Sequence, residues 1–167
     1  AAHQQPQEFF IITTTKQLAT QKKGIKINYV IKKMIPAQLL DNRKTETGYV
    51  KVSSPEMTAF DLVFYSNRIG GLNRTCTVLN ELAERMDPKK IETELIQLFS
   101  VATTQRLGYI LDCVLNEDKL ANRLWKASRD LNQHFYRQPL ATGEKTAGHR
   151  TDPKWRIVIN TKIEIDE

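Results

Sequence analysis

Cysteine is scarce in this chain, and the placing of the two residues excludes more than their number does. Cys76 and Cys113 form no CxxC pair, and neither has a histidine nearby in sequence. Zinc and dithiol redox chemistry are therefore unsupported, and both residues are expected to be small core side chains in helices. Histidine is nearly as rare. His3, His134 and His149 stand apart, none with a second metal ligand at helical spacing. The glycines include Gly70-Gly71 but not the spacing of a nucleotide-binding loop. No Gly-x-Ser-x-Gly elbow exists. No stretch approaches the roughly 20 apolar residues that span a bilayer, and no signal-peptide pattern is present. These absences predict no cofactor, no metal, no membrane contact and a cytoplasmic location.

The 167 residues and 40% apolar content suit one compact domain. The net charge of +6 is unevenly placed. Residues 1–52 carry 9 basic and 3 acidic side chains, residues 53–118 carry 6 and 10, and residues 119–160 carry 9 and 3. Two basic outer segments thus bracket an acidic middle. That asymmetry points to a nucleic acid or another polyanion, and its alternative is a solvated, lysine-rich surface.

Periodicity divides the chain into mainly strand (residues 1–53), helix (54–133), a flexible basic loop (134–154) and strand (155–166). Residues 9–15 read as a buried strand. Ile25, Ile27, Tyr29 and Ile31 alternate with polar residues as a second strand, joined to the first by residues 20–24, which could form a long hairpin loop. Residues 41–47 read as a polar loop, and Tyr49, Val50 and Val52 as a further strand. Ser53 or Ser54, Pro55 and Glu56 then start a helix: a capping hydroxyl, a ring suited to the first turn, and a negative charge at the positive end of the dipole. That helix covers residues 54–66, with Met57, Phe60, Val63 and Phe64 on its core stripe. A second covers 72–86, with Val78, Leu79, Leu82, Ala83 and Met86. A third is capped by Asp87 before Pro88, with Ile91, Leu95, Leu98 and Phe99. A fourth covers 103–115, capped by Thr103 or Thr104. A fifth covers 118–133, capped by Asp118. Residues 155–160 and 163–166 close the chain as strand, the last as an exposed edge. The fold class is α+β: a mixed or antiparallel sheet of the N-terminal strands and the returning C-terminal strand, packed on about five helices.

The side chains that could bind a partner are basic. Lys22 and Lys23 fall in a turn, Lys26, Lys32 and Lys33 on or after the second strand, and Arg43 and Lys44 in a loop. Arg123, Lys126 and Arg129 are three apart on the last helix and can form one stripe, which Lys119 extends. Arg137, Lys145, Arg150, Lys154 and Arg156 surround the basic loop. Such groups neutralise phosphates. Trp125, Tyr136 and Trp155 can stack on bases, although Trp125 and Trp155 equally suit a core. No base-reading element is evident, so such binding is backbone-directed. A metal-dependent nuclease built on Glu56, Asp61 and Asp112 is the weaker alternative, because Glu56 and Asp61 are about 500° apart round one helix and do not share a face.

The chain begins abruptly at Ala1, without Met, and reads as a fragment of a longer protein. Ala1-Ala-His-Gln-Gln-Pro6 is similar to the end of an LHGAAHQQPQ segment. Gly48–Tyr65, Arg106-Leu-Gly-Tyr-Ile-Leu111 and Trp155-Arg-Ile-Val-Ile-Asn160 follow in the same order as segments of one family. In these segments the chain resembles the C-terminal half of AbiEi-type antitoxins, the transcriptional regulators of type IV toxin–antitoxin pairs in abortive infection. The resemblance implies a non-catalytic antitoxin that counteracts a nucleotidyltransferase-like toxin without a stable complex and supports transcriptional autoregulation. Operator DNA would be read by an N-terminal winged helix-turn-helix that this chain lacks. The family motif falls on Pro55, Glu56, Asp61, Arg106, Gly108 and Tyr109, and each also has a structural reading. The alternative function is a nonspecific nucleic-acid-binding accessory domain.

Overall fold

Ser54, Pro55 and Glu56 start a helix as the sequence dictates. The Ser54 hydroxyl accepts the Met57 N–H at 3.2 Å, and Pro55 opens α1 (Pro55–Phe64). The computed structural model describes residues 7–13, 20–22, 25–31, 40–45 and 48–166, with side chains from Ser53 onward. The chain divides into two compact units, Ala1–Val52 and Ser53–Glu167.

The first unit is built of strands. β1 (Gln7–Thr13) and β3 (Ile25–Ile31) pair in parallel with Phe9 opposite Ile27, and β2 (Thr20–Lys22) pairs antiparallel with β3. The sheet is mixed, ordered β1-β3-β2. This corrects the hairpin expected between the two long strands. The antiparallel neighbour of β3 is β2, not β1. β4 (Leu40–Thr45) and β5 (Gly48–Ser53) form a separate pair. Arg43 and Lys44 are therefore in a strand, not a loop; pairing with β5 outweighs the weak strand propensity of a polar segment.

The second unit carries the helices. α1 buries Met57, Ala59, Phe60 and Val63, but leaves Phe64 53% exposed at its end. α2 (Leu72–Leu82) buries Thr75, Cys76, Leu79 and Leu82, and a 3-10 turn, Ala83–Arg85, finishes it. Val78 points outward at 37% exposure. Asp87 caps as expected, accepting the Lys89 N–H at 3.0 Å, but only over a 3-10 turn, Pro88–Lys90. The third helix is a single turn, α3 (Thr93–Ile96), which buries Leu95 and Ile96 beside buried Ile91 and leaves Leu98 exposed. α4 (Val101–Tyr109) starts two residues early. Ser100 is its cap, while Thr103 and Thr104 are buried inside the first turn. A π-helical turn, Ile110–Val114, continues α4, and α5 (Asp118–Asp130) follows with Asp118 inside the helix rather than at its cap.

The closing strand is expected to return to the N-terminal sheet; among the described residues its ladder is with Gln138–Pro139 instead. β7 (Ile157–Val158) pairs in parallel with β6 (Gln138–Pro139), a two-residue strand within the expected basic loop. The expected edge strand at 163–166 makes no ladder. Its Glu164 and Asp166 amides donate to the Asn73 and Thr77 side chains of α2, at 3.0 and 3.1 Å. The segment after α5 is tied down at Asn160. Its side-chain oxygen accepts the Ala141 N–H at 2.8 Å, and its amide nitrogen donates to the Ala141 and Glu144 carbonyls.

Trp155 locks this segment to α4. It is fully buried, and an added Cβ on Gly108 would overlap its six-membered ring. Glycine is required at 108 because the indole occupies the space a side chain would take. Gly108→Ala should cost roughly 1–3 kcal/mol, the usual penalty of overpacking, read as a lower urea midpoint. Combined with Trp155→Leu, which vacates the space, its cost should fall well below the sum of the two single losses; simple additivity would mean the residues do not share this site.

Candidate nucleic-acid interface

Gln105 and Arg106 of α4 and Asp112 of its π extension hold the C-terminal segment. Buried Gln105 donates from its amide nitrogen to two carbonyls, Tyr136 at 2.6 Å and Trp155 at 2.9 Å. Arg106 Nε donates to the Pro139 carbonyl at 2.9 Å, and burial lowers the pKa of its guanidinium. Asp112, in the π turn, accepts the Trp155 indole N–H at 2.9 Å and pairs with Lys154 Nζ at 3.5 Å. Asp152 accepts the Trp155 backbone N–H at 2.7 Å. Trp155 thus has its ring, indole N–H, backbone N–H and carbonyl all engaged.

Around that anchor the aromatic side chains collect. Phe135 stacks on Trp155 with centroids 5.9 Å apart, and Trp125 of α5 meets both edge-on at 5.8 and 5.4 Å. Arg129 lies over the Trp125 and Phe135 rings at 4.5 and 4.6 Å, an attractive placement of a cation on π faces. Lys154 Nζ stands 5.2 Å from the Trp125 centroid and 5.5 Å from that of Trp155. Trp125, Phe135, Arg129 and Lys154, together with Tyr136, Arg137 and Arg156, line an open groove of about 580 Å³. No aspartate or glutamate lines it. Arg156 adopts a left-handed backbone, φ 57°, rare for a residue with a side chain, directly before β7.

The groove gathers four of the expected phosphate-binding residues: Arg129, Arg137, Lys154 and Arg156. It does not gather the rest. Arg123 is spent on the Ile91 carbonyl, to which its Nε donates at 3.1 Å. The expected stripe on α5 is therefore left with Lys119, Lys126 and Arg129, all exposed, of which only Arg129 lines the groove. Lys145 and Arg150 are exposed and lie outside the groove lining. Lys22 and Lys26 lie on β2 and β3, and Arg43 and Lys44 on β4. Lys23, Lys32 and Lys33 lie outside the described residues. Phe135 and Pro153 also line the groove and carried no sequence signal beyond their neighbourhood to basic residues.

The carboxylates of the nuclease alternative are used elsewhere. Glu56 is 1% exposed and its Oε2 accepts the Asp87 N–H at 3.0 Å, joining α1 to the turn after α2. Asp61 is buried on the same helix, and Asp112 is taken by Trp155 and Lys154. Among the described residues no three His, Cys, Asp or Glu side chains gather as a metal site. Among the described residues no helix is long and apolar enough to cross a membrane. Tyr109 is buried, and its pKa is raised by that burial and by nearby Cys113 and Asp152. Cys113 is exposed rather than core. Its thiol is nonetheless pushed up to about 11 by desolvation, then by Asp152 and Asp112.

Asp112 can be tested through both of its roles. Asp112→Ala leaves the buried indole N–H without its acceptor and should cost roughly 1–3 kcal/mol in chemical denaturation. Asp112→Asn keeps an acceptor and removes a negative charge near Cys113, so the thiol pKa should fall. Alkylation of Cys113 by iodoacetamide at pH 8 should then be faster than in the wild type, which stays almost wholly protonated there. Equal rates would show that Asp112 does not act on this thiol.

No curated protein and no solved structure matches the chain. The family model described as AbiEi antitoxin C-terminal domain matches residues 1–113, more than half of the chain. That match takes in the strands of the first unit, α1 to α4, Gly108 and Asp112. The chain belongs to the AbiEi antitoxin C-terminal domain family.

Proposed function

We propose that this domain is the non-catalytic antitoxin and regulatory part of a type IV toxin–antitoxin pair, acting in the cytoplasm in phage defence. It counteracts a nucleotidyltransferase-like toxin without forming a stable complex, and it supports transcriptional autoregulation. Operator DNA is read by a winged helix-turn-helix that precedes this domain in the family. The observation that carries the reading is the family match over residues 1–113. The use made of the motif residues supports it. Pro55 opens α1 behind the Ser54 cap, Glu56 receives the Asp87 amide, Arg106 holds the Pro139 carbonyl, and Gly108 accommodates Trp155. Groups so committed to packing and hydrogen bonding are poorly placed for chemistry on a substrate.

A second reading, a nonspecific nucleic-acid-binding accessory domain, is favoured by the basic groove. The two readings are compatible, because a regulator gains affinity from any surface that neutralises phosphates.

Growth of cells expressing the nucleotidyltransferase-like toxin, with and without the 167-residue chain, tests the first reading. Restored growth is expected, with no toxin recovered on the tagged domain in a pull-down. Folded, soluble domain that leaves growth arrested would overturn it.

A further inference from the structure

Arg129, Arg137 and Arg156 face the groove without a carboxylate partner among the described residues, and the lining contains no acid. Lys154 adds a fourth positive charge, only partly offset by Asp112. Clustered like charges repel, and an anionic ligand relieves that repulsion. Beside them Tyr136 is 69% exposed, its ring propped by His134 at 4.4 Å. An aromatic ring held in solvent amid guanidinium groups is suited to a flat, unstacked partner. The groove volume of about 580 Å³ is also of the size that takes a small organic ligand.

We propose that this groove binds single-stranded nucleic acid, with a base stacked on Tyr136 and successive phosphates on Arg137, Arg156 and Arg129. Duplexes fit the same observations less well, since their bases are stacked inward and offer Tyr136 no face. The left-handed backbone at Arg156 strengthens the assignment. That conformation is costly for arginine, and glycine would adopt it freely, so the side chain is retained against the local backbone preference. The site lies beyond the family-matched residues, all of its lining falling between Trp125 and Arg156. It narrows the accessory-binding reading to one groove and to unpaired strands, and it is independent of toxin rescue.

Fluorescence anisotropy of the full chain with a labelled oligothymidylate of about 12 nucleotides, its duplex counterpart and a polyglutamate competitor tests the site. Binding of the single strand should weaken with salt, with a log–log slope near −2, as expected for about three phosphates on a single strand. Tyr136→Ala should weaken it roughly 5- to 160-fold, the range for loss of one stacked base. Arg156→Gly, which suits the backbone at that position and should fold at least as well, should weaken binding and make the salt slope shallower by roughly 0.7. The duplex should bind more weakly and be indifferent to Tyr136→Ala. Tighter binding of the duplex, unchanged affinity in both variants, or equal displacement by polyglutamate would each overturn the proposal.

Discussion

The indole of Trp155 resting on the bare backbone of Gly108 is the contact on which the second unit depends. Removing a tryptophan side chain of that size from water is worth roughly 4–6 kcal/mol as an upper figure. The bond that Gln105 donates to the Trp155 carbonyl contributes about 1 kcal/mol, and those that the Trp155 indole and backbone N–H donate to the Asp112 and Asp152 carboxylates roughly 1.5–3 kcal/mol each. Apolar burial and these hydrogen bonds are therefore of comparable size, and the bonds also set the register of the C-terminal segment on α4. The ring can enter only because position 108 carries no side chain. A glycine at mid-helix is unfavourable by about 1 kcal/mol in itself, and burial of the indole more than offsets that cost.

The same anchor assembles the groove. Trp125 and Arg129 come from α5, Tyr136 and Arg137 from the segment behind it, and Lys154 and Arg156 from either side of Trp155. The packing of Phe135 and Trp125 on Trp155 brings the first and last of these together. Part of the family-matched region thus serves as a platform, and the residues beyond it form a basic, aromatic surface on that platform. The antitoxin family assignment rests on the first part, while the nucleic-acid reading rests on the second.

Much of the local structure was legible, because it depends on neighbours in sequence. The Ser54 cap, Pro55 at the first helical position and Asp87 before Pro88 follow from short-range chemistry and occur as expected. The errors arise where tertiary structure overrides it. Thr103 and Thr104 have capping side chains, yet they are buried and Ser100 takes the role. Leu40–Thr45 is too polar to read as a strand and becomes one through its pairing with β5. Val78 and Leu98 fit helical periodicity but face outward, because α2 turns Cys76 and Leu79 inward and α3 lasts only one turn. The basic residues of the groove were all identifiable as candidates. Their selection was not, since Arg123 and Arg129 look alike in sequence and each donates to a backbone carbonyl, Ile91 for one and Gln133 for the other, and only Arg129 also lies over two aromatic faces at the groove.

The most direct test of this account is hydrogen exchange of the two tryptophan indole N–H groups by NMR. Trp155 Nε1–H, buried against Gly108 and bonded to Asp112, should exchange only when the unit opens, as slowly as the core amides of α4. The partly exposed Trp125 provides the internal comparison. Exchange of the Trp155 indole proton at the rate of a free indole, with the α4 amides still protected, would contradict the claim that this residue anchors the C-terminal segment.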